Sequence, residues 1–200
     1  MVNVIEKYVD KNKRLIILIS GFSGSGKTLL AKNIERDFKL HFLNLNDFYK
    51  KDYNNIVDLG NDIKVNDWDN PESIDWTLFN DKIDEIKGNG VIVSGFCFPD
   101  EMITFKPDFH IYLKISKTKL IENRHKYLEE NKDNPLNEIK DTKIELLILN
   151  SLSYKHYMEI KDKSTYTYST DVTEKTPDAV YDEIFEHIIK EVEKNIYMRS

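Results

Sequence analysis

Gly21-Phe22-Ser23-Gly24-Ser25-Gly26-Lys27-Thr28 carries the clearest chemistry in the chain, because it completes the pattern G-x-x-x-x-G-K-[ST]. Glycines at those places let the main chain wind round a phosphate tail with successive N–H groups pointing inward. A helix that opens near Lys27 presents its positive N-terminal end to the same anion. Lys27 can then reach the β- and γ-phosphates, and the Thr28 hydroxyl can hold Mg²⁺. A nucleotide phosphate site is the expectation.

Two further stretches have residue types suited to an acceptor. Asn46-Asp47-Phe48-Tyr49 ends a short apolar segment. Asp47 can take a proton from a hydroxyl or orient Mg²⁺, and it can equally cap a turn. Asp67-Trp68-Asp69-Asn70-Pro71-Glu72-Ser73 sets a Trp between two acids ahead of a proline. That pattern suits a capped helix start with a packed Trp, and it suits a polar and aromatic wall for a sugar and a base. Arg124, in ENRHK, reads by itself as a solvated helix charge.

The elements that must position these groups follow from apolar periodicity. Leu15–Ile19 reads as a buried strand, and Thr28–Phe38 as a helix with Leu29, Leu30, Ile34 and Phe38 at helical spacing. Residues 1–13 form a short helix on the domain edge. His41–Leu45 is a second strand, and residues 50–70 are loop. Pro71 opens a helix through about Lys87, with Ile74, Leu78, Phe79, Ile83 and Ile86 on its apolar side. Gly88-Asn89-Gly90 is a turn before the strand Val91–Val93. Phe109–Ile115 is the next strand, and Lys117–Leu128 a helix. A polar break covers Glu129–Asn137. A longer helix spans Ile139–Ile160, bent near Ser151. Thr165–Ser169 is a candidate last strand, and Asp178–Ile196 a closing amphipathic helix.

Strands alternating with helices predict a parallel sheet covered on both faces. Ligands in such folds sit beyond the carboxyl ends of the strands. That rule gathers Gly21–Thr28, Asn46–Tyr49 and Ser94–Phe98 on one rim.

Composition narrows the partners. The 200 residues carry a net charge of −6, which argues against a broad nucleic-acid surface. Cys97 is the only cysteine, so no intrachain disulfide forms, and it reads as a small buried hydrophobe. The five histidines are scattered, with no metal-binding spacing. No stretch is long and apolar enough to span a membrane, and no signal peptide is evident; a soluble, cytoplasmic protein is expected.

ISGFSGSGKT, NDFYK, DWDNPESIDW and VIVSGF resemble, in order and spacing, the uridine kinase and nicotinamide riboside kinase group of P-loop kinases. The likeness covers roughly residues 14–160 and is nearer the nicotinamide riboside side. It implies a three-layer α/β P-loop NTPase-type fold with about five parallel strands and a small lid around 118–138. It also implies transfer of the ATP γ-phosphate, with Mg²⁺, to the 5′-hydroxyl of a ribonucleoside. By that resemblance Asp69 binds ribose hydroxyls, Tyr49 and Trp68 lie near the nucleoside, and Arg124 starts the lid over the phosphates. Two positions depart from the group's pattern. Asn46 stands where the presumed base Asp is usual, and Ser94 where a Mg²⁺-serving Glu is usual. Three outcomes remain open: Asp47 turns in and substitutes, transfer is slow, or nucleotide binding survives without transfer.

Overall fold

The computed structural model describes residues 2–130 and 142–197. The apolar run after Arg14 forms β1 (Ile16–Gly21), buried at every residue. It lies at the centre of a five-stranded parallel sheet. β5 (Val91–Gly95) flanks it on one side and β6 (Phe109–Lys114) on the other. β2 (His41–Asn44) pairs outside β5, and β7 (Tyr168–Asp171) outside β6.

Side chains alternate across β1, and this divides the core in two. Leu15, Ile17 and Ile19 face α1 (Val2–Asn12), α2 (Lys27–Phe38) and α7 (Pro177–Tyr197), packing with Ile5, Ile34, Ile184 and Ile188. Ile16 and Leu18 face α3 (Trp76–Ile86), packing with Phe79 and Ile83. Helices therefore cover both faces, and the fold is the α/β P-loop NTPase type. A third cluster, Phe22, Leu120 and Leu149, joins the turn after β1 to α4 (Lys117–Glu130) and to the arm that starts with α5 (Thr142–Ile148).

Four expectations need correction. The helix does not open at Pro71. Pro71–Ser73 is a separate 3₁₀ turn, Ile74 is extended and bridges to Tyr49, and α3 starts at Trp76 with Asp75 as its cap. The Asp75 carboxylate accepts from the Leu78 amide at 3.0 Å. That start phases Phe79 and Ile83 inward and leaves Leu78 55% exposed. Second, residues 50–70 contain an antiparallel ribbon of β3 (Ile56–Asp58) and β4 (Lys64–Asn66). Asn66 pins it: its side chain accepts from the Asn55 amide at 2.8 Å and donates to the Tyr53 carbonyl at 2.9 Å. Third, β7 begins three residues later than expected. Fourth, α4 continues through Glu130, past the expected end at Leu128. The break expected over Glu129–Asn137 and the start of the lid-side helix at Ile139 fall largely outside the described residues. The bend near Ser151 is present as a π turn, Leu149–Ser153, between α5 and α6 (Tyr154–Ile160).

Candidate active site

The turn after β1 closes into a ring of main-chain amides. Gly24 and Gly26 take φ of +99° and +84°, a region that favours glycine. Gly26 precedes α2 and supplies no capping side chain. The first amides of α2 are therefore left for an anion. The Ser25 hydroxyl is buried in the same turn without a hydrogen-bond partner among the described residues. An unsatisfied buried donor in a ring of amides fits a phosphate group.

Neighbouring elements brace the turn. Phe22 tucks beneath it against Tyr157, ring centres 4.0 Å apart. From α4, Asn123 donates to the Gly24 carbonyl at 2.9 Å, and Arg124 donates to the Ser23 hydroxyl at 3.1 Å. The other face of the Arg124 guanidinium pairs with Glu145 of α5. Arg124 is thus no solvated helix charge; it lies between the turn and the arm.

Lys27 donates its ammonium to the Phe22 carbonyl at 3.1 Å. Burial lowers its pKa to about 8, with nearby Asp69 opposing the shift and Arg124 adding to it. The Thr28 hydroxyl lies 3.3 Å from that of Ser94, at the end of β5. These two hydroxyls suit a Mg²⁺ ion that arrives on a nucleotide, whose phosphate oxygens would supply the charge. No cluster of His, Cys, Asp and Glu fit for a metal occurs among the described residues.

Three cavities meet at the turn. A groove of about 660 Å³ is lined by Lys27, Thr28, Asn44, Asn46 and Arg124. On one side, sharing Gly24 and Gly26, a cavity of about 300 Å³ is lined by Leu29, Asn33, Val172 and Pro177. On the other side, sharing Ser23 and Arg124, a cavity of about 430 Å³ is lined by Asp67, Trp68, Asp69 and Glu145.

Of the three open outcomes, a turn-in of Asp47 is not seen in this structure. Asn44–Phe48 closes as a 3₁₀ turn in which Leu45 and Phe48 are buried. Residues three apart eclipse in such a turn. Anchoring that pair inward leaves Asn46 and Asp47 exposed, and of the two only Asn46 lines the groove.

The third cavity is tied together by long-range polar pairs. Trp68 packs between Tyr49 and Tyr53, at 5.0 and 5.5 Å. Tyr49 supports Trp68 and is not itself on the lining; burial pushes its phenol pKa up. The Ser153 hydroxyl donates to the Asp69 carboxylate. His156 Nε2 meets Asp67 at 2.6 Å, and the second oxygen of Asp67 is buried without a hydrogen-bond partner among the described residues. Burial raises the Asp69 pKa; the Ser153 bond, His156 and Lys27 oppose it. Cys97 is buried behind this region, and its thiol pKa is pushed up.

The architecture is the α/β P-loop NTPase fold. A gluconokinase from Sinorhizobium meliloti aligns over 94% of this chain and 98% of its own with a TM-score of 0.56 at 14% identity. Shikimate kinase from Bacteroides thetaiotaomicron covers 87% of this chain and 98% of its own, with a TM-score of 0.52 at 16% identity. Thymidylate kinase from Candida albicans gives 0.53 at 15%, over 89% of this chain and 92% of its own. At such identities the likeness shows the fold. In sequence, the chain is similar to nicotinamide riboside kinase of Saccharomyces cerevisiae, 33% identical over 104 residues, 52% of this chain. The chain spans 42% of that relative's length. No family model matches the chain.

Sequence reasoning missed Asn33, Asn123, Glu145, Ser153, His156 and the loop at Val172–Pro177. Of these only the Val172 loop carried a usable signal, since it follows the carboxyl end of a strand.

Proposed function

We propose that this chain is a phosphotransferase that moves the γ-phosphoryl group of ATP to the 5′-hydroxyl of a ribonucleoside. The observation that carries this reading is the wall shared by Ser23 and Arg124 between the amide-lined groove and the acidic, aromatic cavity. A donor phosphate and an acceptor hydroxyl could meet there, and such positioning is most of what phosphoryl transfer needs. The likeness to nicotinamide riboside kinase supports it.

In this reading the amides of Gly21–Thr28 hold the triphosphate and Lys27 neutralises its outer oxygens. Thr28 would hold Mg²⁺, which draws charge off the phosphates when bound. The cavity at Leu29, Asn33 and Pro177 takes the adenine. Arg124 closes over the phosphates, Asp69 meets the sugar, and Trp68 backed by Tyr49 faces the base. Asp67, Asp69 and Glu145 outnumber the cations Lys64 and Arg124 on the lining of the acceptor cavity by one charge, and Trp68 adds an aromatic face. That excess and that face favour a positively charged ring such as nicotinamide riboside over neutral uridine or cytidine.

A second reading, nucleotide binding with reduced or lost transfer, is favoured by one observation. The positions beside Lys27 and Thr28 hold neutral Asn46 and Ser94. Incubation with ATP and each of nicotinamide riboside, uridine and cytidine, with product analysis, separates the two. Phosphorylated nucleoside supports transfer, and calorimetric ATP binding with no product from any acceptor supports the second reading.

A further inference from the structure

An alcohol that attacks phosphorus must shed a proton, and the groove offers no carboxylate at the expected place. Asn44 and Asn46 line it instead, and Asp47 points to solvent. Among the described residues, four carboxylates line the groove or the acceptor cavity. Glu130 is at the solvent end of α4, 3.8 Å from Lys126. Glu145 is committed to Arg124. Asp67 is held by His156. Asp69 differs from these three, because its charge acts on the Lys27 ammonium. It also lines a small pocket with Phe22 and Ser23 of the phosphate turn.

Resting on the phosphotransfer reading above, we propose that Asp69 is the catalytic residue that accepts the proton of the acceptor hydroxyl. The new bond from the acceptor oxygen to the γ-phosphorus forms as the bond to the bridging β–γ oxygen breaks. ADP leaves with that electron pair, the hydroxyl proton passes to the Asp69 carboxylate, and Asp69 later releases it to water. A hydroxyl already donates to Asp69 in the structure, from Ser153. That geometry is the one an acceptor alcohol would take over.

The surroundings suit the task. Burial raises the affinity of Asp69 for a proton, Asp67 adds to it, and His156, Lys27 and the Ser153 bond restrain it. Tyr49 and Cys97 also face Asp69, and both are held neutral by burial. A carboxylate whose affinity for a proton is raised is a stronger base than an ordinary one.

The test uses the full chain with whichever nucleoside the panel identifies. kcat and KM are measured across pH for wild type, Asp69→Asn, Asp69→Glu and the double variant Asn46→Asp/Asp69→Asn. Asp69→Asn should lower kcat by about 10²–10⁴-fold and erase the fall of kcat at low pH. Asp69→Glu should keep that low-pH fall. The double variant should regain at least roughly tenfold in kcat, with the fall displaced to lower pH because position 46 is exposed. Rescue of kcat from position 46 is something a purely sugar-binding Asp69 would not permit. An Asp69→Asn variant that raises KM alone and keeps both kcat and its pH limb overturns the assignment while leaving the kinase reading intact. A double variant no faster than Asp69→Asn also overturns it. A wild type that phosphorylates no nucleoside defeats the kinase reading itself.

Discussion

The Ser153 hydroxyl donates to the Asp69 carboxylate across 84 residues of sequence, joining the arm to the acceptor cavity. The π turn Leu149–Ser153 makes this possible: it keeps Leu149 and Leu152 buried while turning Ser153 toward the core. Such turns shift helix register at functional sites. A sugar hydroxyl that takes the same Asp69 oxygen competes with Ser153. Ser153→Ala removes the competitor, whose bond nets on the order of 1 kcal/mol. Initial rates should show an acceptor KM about fivefold lower, with a melting temperature a few degrees down. An unchanged KM would mean the serine is not in the way.

Lys27 is held by its own loop until an anion arrives. Burial depresses its pKa from 10.5 to about 8. Between those values the unfolded chain binds more protons than the folded one, so this group makes stability rise with pH across that window. Polyphosphate stabilises the ammonium and pulls its pKa back up. At Lys27, ATP binding near pH 8 should therefore take up about half a proton, and near pH 6 almost none, the terminal phosphate of ATP adding its own release at the lower pH. Calorimetry in buffers of different ionisation enthalpy reads this directly. Lys27→Met should abolish the uptake and lower turnover on the order of 10²–10³-fold, without lowering the melting temperature. Proton release on binding at pH 8 would contradict the picture.

Much of the scaffold was legible because burial repeats along the chain. β1 and β5 are continuous apolar runs, and α7 shows Val180, Ile184, Ile188 and Val192 at helical spacing. The phosphate turn was legible because glycine is needed at its left-handed positions. The β3–β4 ribbon was not. Its strands are three residues long, and two of every three side chains in β3 are exposed, so no alternation stands out. Pro71 misled because proline suits the start of a 3₁₀ turn as well as that of a helix. The acceptor cavity was half legible. Trp68 and Asp69 sit in a motif, but His156 and Ser153 reach it by polar pairing from more than 80 residues away. A long-range hydrogen bond leaves no periodic trace.

Arg124 and Glu145 are 21% and 14% exposed in their side chains, so their pairing is little screened. Glu145 therefore cancels part of the cationic charge that the groove could offer a phosphate. Glu145→Gln keeps the shape and a hydrogen-bond acceptor while removing the negative charge. ATP should bind several-fold more tightly to this variant, with a steeper dependence on salt. Arg124→Ala should act oppositely, weakening ATP binding and also lowering stability by about 1–3 kcal/mol because Glu145 is left unpaired and partly buried. Calorimetric titration at two ionic strengths checks both. Equal affinity in wild type and Glu145→Gln would show that the pair is purely structural.

His110 is fully buried on β6, beneath the phosphate turn. Its Nδ1 is 3.1 Å from the Thr165 carbonyl, which can only accept, so Nδ1 carries the proton. Nε2 then accepts from the Ser20 hydroxyl at 3.0 Å, and Ser20 directly precedes Gly21. Burial holds the ring neutral by lowering its pKa from 6.5 to about 4. The unfolded chain therefore binds more protons between those values. The stability tied to a neutral His110 is fully present above about pH 6.5 and is lost as pH falls toward 4, at most about 3 kcal/mol. His110→Gln keeps a donor and an acceptor but does not titrate. Urea melts at pH 7 and pH 4.5 should show wild type losing about 2 kcal/mol more than the variant over that interval. Parallel losses in the two proteins would place the acid sensitivity elsewhere. If the neutral imidazole does hold Ser20, ATP affinity in wild type should also fall at the acid end before global unfolding, and the variant should retain it.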